Sequence, residues 1–380
     1  MRILNIKQIG MVCLIMLSIY ACSKKDNSEP VDLNPSFDRK ALLTNLADNI
    51  IIPSYAGFKI KLDLMVSKCD AFTAAPTVTS LADFRTAWVD AYKEWQKIEM
   101  IDVGPSQAQT IRSFFNIYPT NVEAINANIA NGTINFDLPV TYSQQGFPAL
   151  DYLINGLAGS DADIVAFYTT ASDAAKRIAY LKKLTAQMNV IFNKVYTPWT
   201  TGYRDEFIRK SGTDASSSLA VLLNGYILNY ERYVRSGKIG IPSGIMGSTL
   251  ITPSPEKIEA YYKKDLSKDL ALIAQQAVLD FYRGKAFNSS TTGPSIKSYF
   301  AALNTKDNNG KLLADVLDEQ FVKALAKLND LSPYFMQQIQ TDRTKMTITF
   351  DEMQLAVRYM KLDMTSAMGI VITYTDNDGD

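Results

Sequence analysis

The sequence predicts an all-α protein arranged as two helical, four-helix-bundle-like lobes. Three observations lead there. Apolar residues recur at steps of three and four along nearly all of the 380-residue chain, which gathers them on single faces of helices. Period-two alternation, the mark of a half-buried strand, is confined to residues 140–142 and 370–374. Stretches rich in Gly, Pro, Ser and Asn break the helical pattern at 102–120, 131–147, 200–217, 237–255 and 286–295.

Taken in order, the first helix is expected over residues 37–69, kinked at Pro53. Ser80 then opens a helix whose inner face carries Leu81, Phe84, Trp88, Tyr92, Trp95 and Ile98. Thr120 with Glu123, and Thr349 with Glu352, have the spacing of a capping box. Ile178, Leu181, Leu184, Met188, Ile191 and Val195 form a second long stripe, and Leu219, Leu222, Leu223, Tyr226, Tyr230 and Tyr233 a third. Further helices are expected at 256–283, 311–331 and 350–368. No fixed-period repeat is present, which argues against a solenoid.

The N-terminus carries an address. Arg2 and Lys7 precede an apolar run over 9–21 that is too short to span a bilayer but right for a secretory signal. Ile19-Tyr20-Ala21-Cys22 looks like a lipobox, so Cys22 is expected to be acylated and to become the mature N-terminus. The organisation expected is a signal peptide over 1–21, a tether over 22–35, an N-terminal helical bundle over 36–210 and a C-terminal bundle over 211–380. The predicted localisation is the cell envelope, lipid-anchored, at the outer membrane with a periplasmic or surface face. Cys13 leaves with the signal and Cys22 carries lipid, so Cys69 has no intrachain disulfide partner.

Composition narrows the chemistry further. The chain contains no histidine, which removes the usual neutral-pH base and the commonest metal ligand. Ser-His-Asp, Cys-His and HExxH chemistry are excluded. Acidic and basic residues balance at 39 each. Without Arg2 and Lys7, 37 basic residues face 39 acidic ones, a formal −2. No basic face or arginine-rich arm points to nucleic acid.

Three passages carry a family likeness: Trp88-x6-Trp95-x3-Glu99-x4-Gly104-Pro105; Gly146-Phe147-Pro148-Ala149-Leu150-Asp151-Tyr152-Leu153; and Met368-Gly369-Ile370 followed by Asp378-Gly379-Asp380. Together with Tyr282-Arg283-Gly284, and in this order, they resemble the imelysin-like proteins. The resemblance implies an all-α fold of two bundles with the motif at their junction, in a secreted or lipid-anchored protein linked to iron acquisition. That family's signature is Gly-x-His-x-x-Glu, whose last two residues share a helix face and could share a metal. Here Pro148 stands at the histidine position and Asp151 at the glutamate position. Proline has no ligating atom, and aspartate draws the carboxylate one methylene toward the backbone. A metal held by this motif is therefore not expected.

The candidate ligand-binding residues are Glu99, Gly146, Pro148, Asp151 and Tyr152, with Cys22 for lipid attachment. No catalytic residue, metal ligand or cofactor is assigned. Asp151 could hold a hard cation or a cationic group with Glu99 from another helix, or could simply bond within its own helix turn. The Trp88, Tyr92 and Trp95 stripe reads as core rather than as a stacking platform. Asp376-Asn377-Asp378-Gly379-Asp380 lacks the later glutamate of a calcium loop. The loop 237–244 lacks phosphate-binding spacing, and Lys182-Lys183 and Lys263-Lys264 read as solvated faces. The expected function is non-catalytic ligand binding in the service of iron or haem uptake. Expected partners are the membrane, through the lipid on Cys22, and an iron, haem or siderophore ligand or an envelope transporter protein. The alternatives are a metallopeptidase and a surface glycan-capturing or interaction lipoprotein.

Overall fold

The computed structural model describes residues 37–246 and 249–375. The signal peptide, Cys22, the tether and the acidic residues 376–380 lie outside the described residues. The chain enters through Arg39–Asn45, opened by the Asp38 side chain, which accepts from the Ala41 N–H. It continues through a wider, π-type stretch (Leu46–Ile51) into α1 (Ile52–Ala74). Pro53 sits in the first turn of α1, but the π-type stretch runs into that turn without a break, so its missing N–H interrupts the helical hydrogen-bond series there. Then follow α2 (Val78–Trp95), α3 (Gly146–Asn155), α4 (Ala174–Pro198) and α5 (Ser218–Leu228). After α5 a π-type stretch runs over Asn229–Gly240, and α6 (Ser267–Tyr282), α7 (Leu313–Asn329) and α8 (Arg343–Arg358) complete the main helices.

Helix α1 packs between α2 and α4, while α7 packs against α6 and α8, which also meets the Asn229–Gly240 stretch. The described residues fall in one contact unit, and α6 touches α2 across it. The all-α expectation holds. The apolar stripes are buried at nearly every position: Trp88, Tyr92, Leu184, Met188, Leu222 and Tyr226 are all fully inaccessible, while Ile178 and Tyr233, at the ends of their stripes, are half-buried. Each large apolar side chain so buried contributes roughly 1.5–3 kcal/mol. No described helix is long and apolar enough to cross a membrane.

Several local expectations are corrected. Residues 140–142 belong to a 3-10 turn (Pro139–Gln144) rather than a strand. Residues 370–374 form no ladder; Asn224 holds them instead, donating to the Val371 carbonyl at 3.0 Å and accepting from the Thr373 N–H at 2.8 Å. The strand pairing that exists among the described residues is a two-residue hairpin, Ile245–Met246 against Thr249–Leu250. Thr77, not Ser80, caps α2, with Ser80 completing the capping box from the third position. Asn121, not Thr120, caps the helix Val122–Asn131. Thr349 lies inside α8 and bonds back to the Lys345 carbonyl. The helix expected at 256–283 is regular only from Ser267, because Ala260 and Lys264 take positive φ values of 55° and 65°. That break turns Glu259 inward, to 1 % exposure.

Candidate functional site

Helix α3 carries the degenerate motif, and its start is set by backbone crowding. Gly146 has φ +76°, and a Cβ there would meet the Phe115 carbonyl oxygen at 2.3 Å. Only glycine allows this approach. Phe147 then stacks on Tyr92 with ring centroids 4.4 Å apart, and its carbonyl accepts from Trp88 Nε1 at 3.2 Å. The Trp88–Tyr92–Trp95 stripe thus clamps the motif helix from within the core and offers no open stacking face. Pro148 follows in the first turn of α3.

Pro148 and Asp151 line a cavity of about 220 Å³, together with Tyr118, Ile258, Tyr261 and Tyr262. Asp151 is 1 % exposed. One carboxyl oxygen accepts from the Tyr262 N–H at 2.8 Å and the other from Asn155 Nδ2 at 2.9 Å. Burial pushes the Asp151 pKa up to about 7 against the opposing pull of these two donors. The carboxyl therefore exchanges its proton near neutrality, while serving to tie the loop after Glu259 onto α3. Tyr152 is pinned differently, exchanging hydrogen bonds with Asn126.

Behind the cavity lies a buried polar network assembled from four segments of the chain. Lys238 Nζ donates to Gln96 Oε1 at 2.7 Å and pairs with Glu259. Gln96 Nε2 and Asn116 Nδ2 both donate to the other Glu259 oxygen, at 3.0 and 2.8 Å. Asn116 also donates to Glu99 at 3.0 Å, and Arg112 lies 3.0 Å from the same Glu99 oxygen. Tyr92 donates to Asn116 Oδ1 at 2.7 Å while its ring stacks on Phe147, so it joins the network to the motif helix. Burial holds the Tyr92 and Tyr118 hydroxyls well above the usual tyrosine range, with Glu259 adding to the effect, so both stay neutral. The Tyr118 hydroxyl is buried without a hydrogen-bond partner among the described residues, and a Cβ on Gly237 would come within 3.0 Å of it.

The five candidates drawn from the sequence therefore separate. Pro148 and Asp151 line the first cavity. Glu99 borders a second, of about 210 Å³, with Asp102, Arg112 and Asn229. Gly146 and Tyr152 are among the lining residues of neither, and act through backbone fit and a bond to Asn126. The carboxylates of Asp151 and Glu99 belong to separate hydrogen-bond sets. Sequence reasoning missed Lys238, Glu259, Gln96 and Asn116. A lysine flanked by Gly237, Ile239 and Gly240, with no acid nearby in sequence, was the one available signal. Gln96 and Asn116 carried none.

These residues do not fit a transition metal. Pro148 offers no donor atom, both Asp151 oxygens are taken by protein N–H groups, and an ammonium already faces Glu259. Among the described residues no group of three or more acidic or cysteine side chains gathers as a ligand set.

The chain's relatives are recognisable at the level of fold. A crystal structure of an imelysin-like protein from Psychrobacter arcticum matches with a TM-score of 0.66 at 18% identity, covering 88% of this chain and 97% of that chain. A protein from Parabacteroides distasonis, described as an iron-regulated protein A precursor, matches with a TM-score of 0.67 at 17% identity, covering 88% and 96%. No curated protein matches the chain. The family model for imelysin (peptidase M75) matches residues 51–358. With most of the sequence so matched, and with Gly146 to Asp151 held on one helix beside a cavity, the chain belongs to the imelysin family.

Proposed function

We propose that this chain is a non-catalytic, lipid-anchored envelope protein that binds a ligand in the service of iron or haem uptake. The observation that carries the reading is the state of the motif. The histidine position is a proline, and the remaining carboxylate is spent on Tyr262 and Asn155. A water-activating metal needs open coordination and free donors, and this motif supplies neither. The cavity beside Pro148 and Asp151 is the proposed binding place. The similarity to the iron-regulated protein A precursor supports the link to iron, and the lipobox at Cys22 supports the anchor. Burial of Trp88 and Trp95 removes the motive for a glycan-capturing surface built on that stripe.

The test is calorimetric titration of the chain from Cys22 onward against ferrous and ferric salts, haem and a siderophore panel. Saturable binding to one of these, with no chelator-sensitive peptide cleavage, is the expected result. Cleavage that disappears on chelation, or no binding across the panel, would overturn the reading. Anchoring is tested separately, by metabolic labelling with a radiolabelled fatty acid in wild type and Cys22→Ser.

A further inference from the structure

A third cavity, of about 450 Å³, lies away from the Asp151 site and is larger. Its volume falls in the range of small-molecule sites, roughly 300–1,000 Å³. The floor is apolar: Ile50, Met100, Ala277, Phe281 and Phe287. These come from three distant parts of the chain, so the hollow forms only on folding. Ile50 lies in the π-type stretch before α1, a departure from regular helix that often marks functional positions.

The wall that carries Phe287 is fixed in place. The Phe287 N–H donates to the Asn49 carbonyl at 2.8 Å, and a Cβ on Gly57 would strike the ring at 2.7 Å. The Lys97 ammonium sits 5.4 Å from the Phe287 ring centroid. Gly57 is thus the residue that lets this aromatic wall close.

The charged side chains lining the cavity are Lys97, Lys285 and Asp280. Lys285 pairs with Asp280 at 3.1 Å, and Asp280 also accepts from Gln276 at 2.8 Å. Lys97 pairs with Glu94 at 2.8 Å, but Glu94 is not among the lining residues. Glu94 Oε1 nevertheless comes within 3.3 Å of the Gly57 Cβ position that the Phe287 ring crowds, so the two lysines and two carboxylates here balance. What the lysines offer an occupant is hydrogen-bond donors rather than excess charge. Each ammonium has three donors, and the pairs named use one apiece. An aromatic floor with two lysines at the rim suits an apolar ring system bearing an anionic group.

We propose that this cavity binds a small aromatic carboxylate or sulfonate, with its rings against Phe281 and Phe287 and its anion on Lys97 and Lys285. The probes are 1-anilinonaphthalene-8-sulfonate and its uncharged analogue N-phenyl-1-naphthylamine, followed by fluorescence titration. Wild type is expected to bind the sulfonate saturably at one site. Ala277→Trp, which fills the floor, should weaken sulfonate binding at least tenfold. The double variant Lys97→Met with Lys285→Met, its fold checked by circular dichroism, should weaken the sulfonate at least tenfold and leave the uncharged analogue within twofold. Sulfonate affinity unchanged in the lysine variant would overturn the assignment, even if Ala277→Trp failed to fold. Equal loss of both dyes in that variant would overturn the anion's role.

Discussion

Lys238 and Glu259 form an ion pair with each side chain 1 % exposed. Taking two charges so far from water is favourable only when further hydrogen bonds complete their shells. Gln96 serves both partners, accepting from the lysine and donating to the glutamate. The pair therefore links the stretch after α5 to the end of α2 and to the irregular loop before α6.

Removing one partner should be costly and removing both less so. Lys238→Met is expected to lower stability by about 3–5 kcal/mol, because Glu259 is left charged and buried. The double change Lys238→Met with Glu259→Gln should recover much of that. Urea denaturation of the two single variants and the double gives the coupling energy directly. Strict additivity would mean the pair carries no special role.

Asp151 should make stability depend on pH with an unusual sign. Its pKa rises from the ordinary 3.8 to about 7 on folding, so the folded chain holds this proton more tightly than the unfolded one. From this group, stability is greatest below about pH 4, falls as pH rises to about 7, and is level above. The full difference is on the order of 4 kcal/mol. Asp151→Asn should therefore gain stability relative to wild type between pH 5 and pH 8, as read from melting temperatures at both. A constant difference across that interval would contradict the assignment.

Gly146→Ala should be strongly destabilising, by about 2 kcal/mol or more, since the new Cβ collides with backbone rather than with a movable side chain. A matched control is Gly159→Ala, where a Cβ would meet nothing within 4 Å. Thermal melts of the two variants should separate clearly; similar small shifts would show that the short helix Ile111–Phe115 yields.

Restoring the family motif tests whether the cavity can still hold a metal. Pro148→His with Asp151→Glu places two donors beside a space of about 220 Å³. The double variant should bind zinc in chelator competition where wild type does not. Unchanged affinity would mean that the bonds from Tyr262 and Asn155 keep the restored carboxylate occupied.

Much of the fold was legible because helix periodicity is local. Leu81 to Ile98 and Leu181 to Val195 state their buried faces within a few turns each, and the structure buries them so, with Ile178 half-buried at the start of its stripe. Caps and breaks were read less well. Thr120 and Thr349 sit at capping spacing, but Asn121 is better placed at one end, and packing extends α8 past the other. The break at Ala260 and Lys264 has no glycine or proline to announce it. It is held instead by Asp151, more than a hundred residues earlier.

The residue list alone determined that the chain is helical, lacks imidazole, and has exchanged the motif's histidine for an imino ring. These are properties of single positions and short spacings, so no contact map is needed to see them. The three-dimensional arrangement alone decided that Asp151 is spent on a loop, and that Gln96, Asn116, Lys238 and Glu259 meet in one buried cluster. Their partners lie up to 163 positions apart. Bonds across such separations leave no local pattern, because each polar side chain by itself reads as an ordinary surface residue.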